Sequence, residues 1–194
     1  MYETPISLLD RLQHQPDEQS WQRLADLYTP LIRNWLGRQA VESSEVDDLV
    51  QEILLVVLRK LPQFQHNDRT GAFRAWLRAI TVNCLRNFWR DRRLRPLATG
   101  DSSFLEVLAQ LEDANSRESK LWDDQHDLHV AQRLLVTIKS DFKPITWKAF
   151  ERVTVDQVEA KQVARELGIS TSSVYVAKSR VLARLREESA GLVD

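Results

Sequence analysis

The sequence predicts an all-α protein built as two small helical domains joined by an acidic linker, with a helix-turn-helix in the C-terminal domain. Three observations carry that prediction. Apolar residues recur at three- and four-residue spacing along almost the whole chain, while alternating strand patterns are hard to find. Helix breakers are sparse, with 5 Gly and 6 Pro in 194 residues. The stretch that interrupts the helical pattern, after Pro96, changes in charge as well as in periodicity. The boundaries read as 1–95 for the first domain, 96–127 for the linker and 128–194 for the second domain.

In the first domain, Trp21, Leu24, Ala25, Leu27, Tyr28, Leu31, Ile32 and Trp35 form one apolar stripe, ended by Gly37. Val46, Leu49, Val50, Ile53, Leu54, Val57, Leu58 and Leu61 form a second, closed by Pro62. Ser43 or Ser44 can cap this helix, and Glu45, Asp47 and Asp48 sit where the helix dipole favours carboxylates. A polar stretch, 65–71, precedes a third helix with Phe73, Trp76, Leu77, Ile80, Cys84, Leu85 and Phe88 on one side. Between 69 and 95 this region holds Arg69, Arg74, Arg78, Arg86, Arg90, Arg92, Arg93 and Arg95 against Asp91. The linker is marked by Pro96, Gly100 and Ser102, then by Glu106, Glu112, Asp113, Glu118, Asp123, Asp124 and Asp127, with some helical content over 104–111.

In the second domain, Leu128, Ala131, Leu134, Leu135 and Ile138 suggest one helix, and Trp147, Ala149, Phe150 and Val153 another, entered through Pro144. Residues 161–167 then form a short helix, Gly168-Ile169-Ser170 a tight turn, and Thr171 to Arg186 a longer helix, which together read as a helix-turn-helix. Gly168 supplies the left-handed helix stop, and Ser170 the next cap.

Composition excludes several classes of function. One cysteine, Cys84, permits neither an intramolecular disulfide nor a cysteine-based zinc site, and it reads as a small core residue. His126 and His129, three residues apart without further ligands, read as solvated histidines rather than a metal site. Neither GxGxxG nor GxxxxGK occurs, and GxSxG and HExxH are also missing, so no catalytic centre, cofactor or metal is expected. No secretory start and no apolar run of about 18 residues is found, which predicts a cytoplasmic protein without membrane insertion. The net charge of −1 requires any nucleic-acid surface to be local.

Two such surfaces suggest themselves. With Val174, Ala177, Val181 and Leu185 on the core side of the last helix, Ser172, Val176, Ser179 and Ala183 face outward, flanked by Tyr175 and Arg180. Small polar residues near a helix N-terminus with an arginine further along suit major-groove reading, while Lys178, Arg184 and Arg186 suit phosphates. In the first domain, Trp76, Trp89, Asn83 and Asn87 lie among arginines, a mixture suited to stacking on unpaired bases; Trp89 falls away from the core-facing aromatics.

These residues match a known pattern. Asp47-Asp48-Leu49-Val50-Gln51-Glu52, then Phe64, then Phe73 through Asn83 and the arginine cluster, resemble the second conserved region of bacterial RNA polymerase sigma factors. Residues 163–170 through 173–180 resemble their fourth region, and a chain with these two regions alone is similar to the extracytoplasmic-function group. The resemblance implies that Asp47, Asp48, Gln51 and Glu52 dock on core polymerase. It implies that Asn67, Arg69, Asn83, Arg86, Asn87, Arg90 and Arg93 capture an unpaired base and hold the backbone of the −10 element. It assigns the −35 element to the last helix, through Thr171, Ser172, Ser173, Tyr175, Val176, Lys178, Ser179, Arg180 and Arg184. Tyr175-Val176-Ala177 depart from the basic or small polar residues of many relatives. The partners implied are core RNA polymerase, promoter DNA and an anti-sigma factor or other inhibitor. The alternatives are a dimeric helix-turn-helix regulator of duplex DNA and a sigma-like co-regulator that no longer melts DNA.

Overall fold

A computed structural model of the chain describes residues 8–39, 41–65, 71–91, 110, 113 and 115–193. Among these residues there are eight α-helices and no strand, as the periodicity requires. They are α1 (Leu8–His14), α2 (Glu18–Leu36), α3 (Ser43–Lys60), α4 (Ala72–Asp91), α5 (Arg117–Ile138), α6 (Pro144–Thr154), α7 (Ala160–Leu167) and α8 (Thr171–Ser189). Two compact units result, one holding the described residues up to Val130 together with 191–193, the other holding 131–190.

In the first unit, α2, α3 and α4 bury most of the stripes read from the sequence: Leu24, Ile32, Leu49, Ile53, Phe73, Leu77 and Leu85 are each at most 1% exposed, whereas Leu58, expected in the α3 stripe, is 37% exposed because it lies at the stripe's edge, well round the helix from Ile53. Asp17 caps α2 by accepting from the Ser20 backbone N–H at 2.7 Å. Its carboxyl is held below the usual range chiefly by hydrogen bonds from the Ser20 backbone and hydroxyl. The cap expected at Ser43 or Ser44 is not found. Glu42 holds the cap position of α3 without a side-chain bond, because the helix already includes both serines. Helix α1 was not foreseen. Its Leu8, Leu9 and Leu12 are buried, and the Gln13 amide donates to the Phe64 carbonyl at 2.8 Å, which ties it to the turn after α3.

The stretch read as a linker shows a different organisation in its second part. Residues 117–127 are helical and begin α5, while 92–109 lie outside the described residues. Ser119, Trp122, His126 and Val130 share one buried face of α5, and Trp122 meets Trp35 of α2 edge-on at 5.1 Å. Leu128, expected in the core of the second domain, is 61% exposed, because the helix turns its histidine and tryptophan inward instead.

The second unit packs the end of α5, α6, α7 and α8 around two clusters. Ala149, Val163, Ala164, Val174 and Ala177 form one; Ile138, Trp147, Phe150 and Val181 form the other. Pro144 opens α6 at a first-turn position, where its missing N–H costs nothing. Arg152 of α6 fastens α7 through Glu166 at 3.1 Å and also pairs with Asp156 at 2.8 Å.

Candidate nucleic-acid interface

On α3, Val46, Leu49, Val50, Ile53 and Val57 turn inward, which leaves Asp47, Asp48, Gln51 and Glu52 exposed. Asp47 pairs with Arg33 of α2 at 2.6 Å. Leu55 follows Gln51 and Glu52 on the same face at helical spacing and is 50% exposed, an apolar position within an otherwise polar surface. It is absent from the apolar stripe read from the sequence, and its outward position was legible from that spacing alone.

Helix α4 carries arginines on two opposite sides. Asn83, Arg86, Asn87 and Arg90 are exposed together, with the Arg86 guanidinium donating to the Asn83 side-chain Oδ1 at 3.5 Å and Arg90 lying 3.5 Å from Asp91. Arg74 and Arg78, one turn apart, point the other way. Arg78 is buried and meets Asp123 at 2.6 Å, also donating to the Ser119 carbonyl at 3.3 Å; Arg74 meets Asp127 at 2.6 Å. The acids of α5 thus neutralise part of the cationic segment and leave the Asn83–Arg90 face open. Asn67, Arg69 and Arg93 lie outside the described residues. Phe64 and Phe73 enclose Trp76 with ring centroids 5.0 and 5.4 Å away. Trp89 is half-buried and packs edge-on against Phe88 at 5.2 Å, so it does not stand apart from the aromatics as expected.

Behind α4 lies a buried polar chain. The fully buried His126 ring joins the Tyr28 hydroxyl at 3.2 Å on one side and Asp127 at 3.0 Å on the other, and Asp127 continues to Arg74. His129 bonds the Leu27 carbonyl at 2.7 Å. The reading of these histidines as solvated is therefore corrected, most clearly for His126. Both serve to seat α5 on α2, which satisfies polar groups that burial would otherwise leave unpaired. Burial, then the Asp127 charge, pushes the Tyr28 hydroxyl well up, so it stays protonated and available as a donor. Burial likewise pushes the Cys84 thiol up to about 11, reinforced by Glu52, which suits a core residue rather than a nucleophile.

In the second unit, Gly168 adopts φ 65° and ends α7, and its N–H bonds the Ala164 carbonyl. Ser170 then caps α8 by accepting from the Ser173 backbone at 3.0 Å. Val174, Ala177 and Val181 are buried, so Ser172, Ser173, Tyr175, Val176, Ser179 and Arg180 face solvent, with Thr171 and Lys178 half-buried. Arg184 is placed otherwise than the rest: it sits among Asp141 at 3.0 Å, Glu187 at 3.7 Å and Glu188. Its charge is already compensated.

No cluster of three potential metal ligands occurs among the described residues, and no described helix is long and apolar enough to cross a membrane. Residues 24–95, which take in most of α2 and all of α3 and α4, match the family description "Sigma-70 region 2". A probable RNA polymerase sigma factor, RfaY, of Xanthomonas campestris is 26% identical over 142 residues, 73% of this chain and 33% of that protein. An RNA polymerase sigma-E factor of Streptomyces avermitilis is 30% identical over 114 residues, 59% of this chain and 55% of that protein. Over residues 24–95 the chain is thus similar to sigma-70 region 2, and both relatives are sigma factors by name. The chain spans about a third of the length of one of these relatives and about half of the other.

Proposed function

We propose that this chain acts as a promoter-specificity subunit of bacterial RNA polymerase, without a catalytic centre of its own. The observation that carries the reading is the face of α4 formed by Asn83, Arg86, Asn87 and Arg90. It is exposed to solvent within the region 2 match, while the neighbouring Arg74 and Arg78 turn toward the acids of α5. Amides and guanidinium groups together suit an unpaired base and its backbone, and offset the few kcal/mol that unstacking costs. In this reading residues 1–95 bind core polymerase through Asp47, Asp48, Gln51 and Glu52 and open the −10 element, with Asn67, Arg69 and Arg93 contributing. Residues 128–194 read the −35 element in duplex form through α8. Arg184 is assigned a supporting role rather than a phosphate contact, because three acids hold it. The protein works in the cytoplasm, where polymerase and promoter DNA meet, and an inhibitory protein partner regulates it.

The test is in vitro transcription with purified core polymerase, with and without the chain, on a promoter library. Protein-dependent transcripts that share two unlike, spaced elements are expected. Asn83→Ala combined with Arg90→Ala should keep polymerase binding and reduce open-complex formation, while Asp48→Ala should weaken polymerase binding with folding preserved. Palindromic sites bound without polymerase would instead favour the dimeric regulator, and tight polymerase binding without transcripts the co-regulator.

A further inference from the structure

The outward face of α8 carries an exposed apolar side chain among small polar ones. Directly opposite the buried Val174 and Val181, in the second turn, stands Val176, which is 45% exposed. Its helical neighbours on that face are Ser172, Ser179 and Ala183, one turn or two away, all small and exposed, with Arg180 four residues on. A β-branched apolar residue at the centre of a solvated helix face stabilises neither the helix nor the core. Ser172, Ser179 and Ala183 leave the valine methyl groups accessible between them, with the exposed Tyr175 and Arg180 flanking the same surface. The turn built by Gly168 and the Ser170 cap fixes this face at the leading end of α8.

Resting on the reading above that α8 enters the major groove, we propose that Val176 selects a thymine in the upstream duplex element by packing against its C5 methyl group. Among the groups displayed on base edges in that groove, the thymine methyl is the apolar one, so a valine there has one favourable partner and desolvates a donor or acceptor at other bases. Serine and arginine hydroxyl and guanidinium groups at 172, 179 and 180 retain hydrogen-bonding capacity for flanking base pairs. Val176 thus contributes discrimination at a single position rather than general affinity.

The experiment uses the full chain bound to core polymerase and a promoter taken from the transcribed library. Each thymine of the upstream element is replaced in turn by deoxyuridine, which lacks only the methyl group, and promoter binding is measured for the wild type and for Val176→Ala. At one position the wild type should lose about fourfold in affinity, the equivalent of about one buried methyl group. Val176→Ala should show a similar loss on the thymine promoter and no further loss on deoxyuridine. Deoxyuridine neutral at every position, or a penalty of equal size in Val176→Ala, overturns the inference alone. A loss of core polymerase binding by Val176→Ala in the absence of DNA overturns it in favour of a protein contact. Failure of the wild-type complex to protect any upstream duplex element overturns the reading of α8 itself.

Discussion

Arg78 shows how one residue can read as surface and prove to be interior. It is 5% exposed, and its guanidinium is satisfied by Asp123 and the Ser119 carbonyl, from positions 45 and 41 residues further along the chain. Removing one member of such a pair leaves the other charge poorly compensated. Arg78→Ala should therefore destabilise the first unit by about 2–3 kcal/mol, somewhat below the roughly 3–5 of a fully buried pair because Asp123 retains contact with water. Chemical denaturation measures this, and Asp123→Asn added to Arg78→Ala should cost much less than the two changes summed. Nothing near Arg78 in sequence distinguished it from Arg86 or Arg90. What separates them is a partner that only the folded chain brings close, and the same holds for His126, whose Tyr28 lies 98 positions away.

At the scale of the element, legibility followed the range of the forces involved. The turn between α7 and α8 was readable because its determinants are local: a left-handed glycine, a serine accepting from the backbone three residues on, and an apolar stripe of Val174, Ala177 and Val181. Ser170→Ala should cost about 1 kcal/mol in a thermal melt, since it releases the Ser173 N–H at the start of α8. The first half of α5 was unreadable for the converse reason. Its leucines, Leu121 and Leu128, are exposed while Trp122 and His126 are buried, and its aspartates serve as counter-ions. An acidic helix without an apolar stripe looks like a spacer until the cations it faces are known. Helix α1 was missed because seven residues are too few for a periodic signal, and its leucines gain their environment from α2 and the turn after α3.

For the molecule as a whole, the all-α class and the polar, cationic face of α4 followed from periodicity and composition, whereas the extent of the first unit did not. The pairing of α4 with α5 also gives that unit a pH dependence. Partial burial raises the Asp127 carboxyl, but the hydrogen bond with His126 and the charge of Arg74 outweigh it, and the group ends below its usual range. The folded state consequently holds that proton less tightly than the unfolded chain. Its stabilising contribution is complete at neutral pH and is lost as the pH falls below about 4, through the carboxylate range. Melting between pH 6 and 3 should show this decline, and Asp127→Asn should make the slope shallower while lowering stability at neutral pH. The seat of α5 on α2 carries a further consequence, one of timing. The contacts of His126 with Tyr28 and of His129 with the Leu27 carbonyl close loops of 98 and 102 residues. During synthesis, α2, α3 and α4 can associate as soon as they emerge, yet the indole of Trp35 and the charge of Arg78 must wait for a segment translated long afterwards. A nascent chain halted before residue 117 would therefore present an open, cationic and aromatic cleft to whatever passes by, and would be the form of this protein most in need of a chaperone.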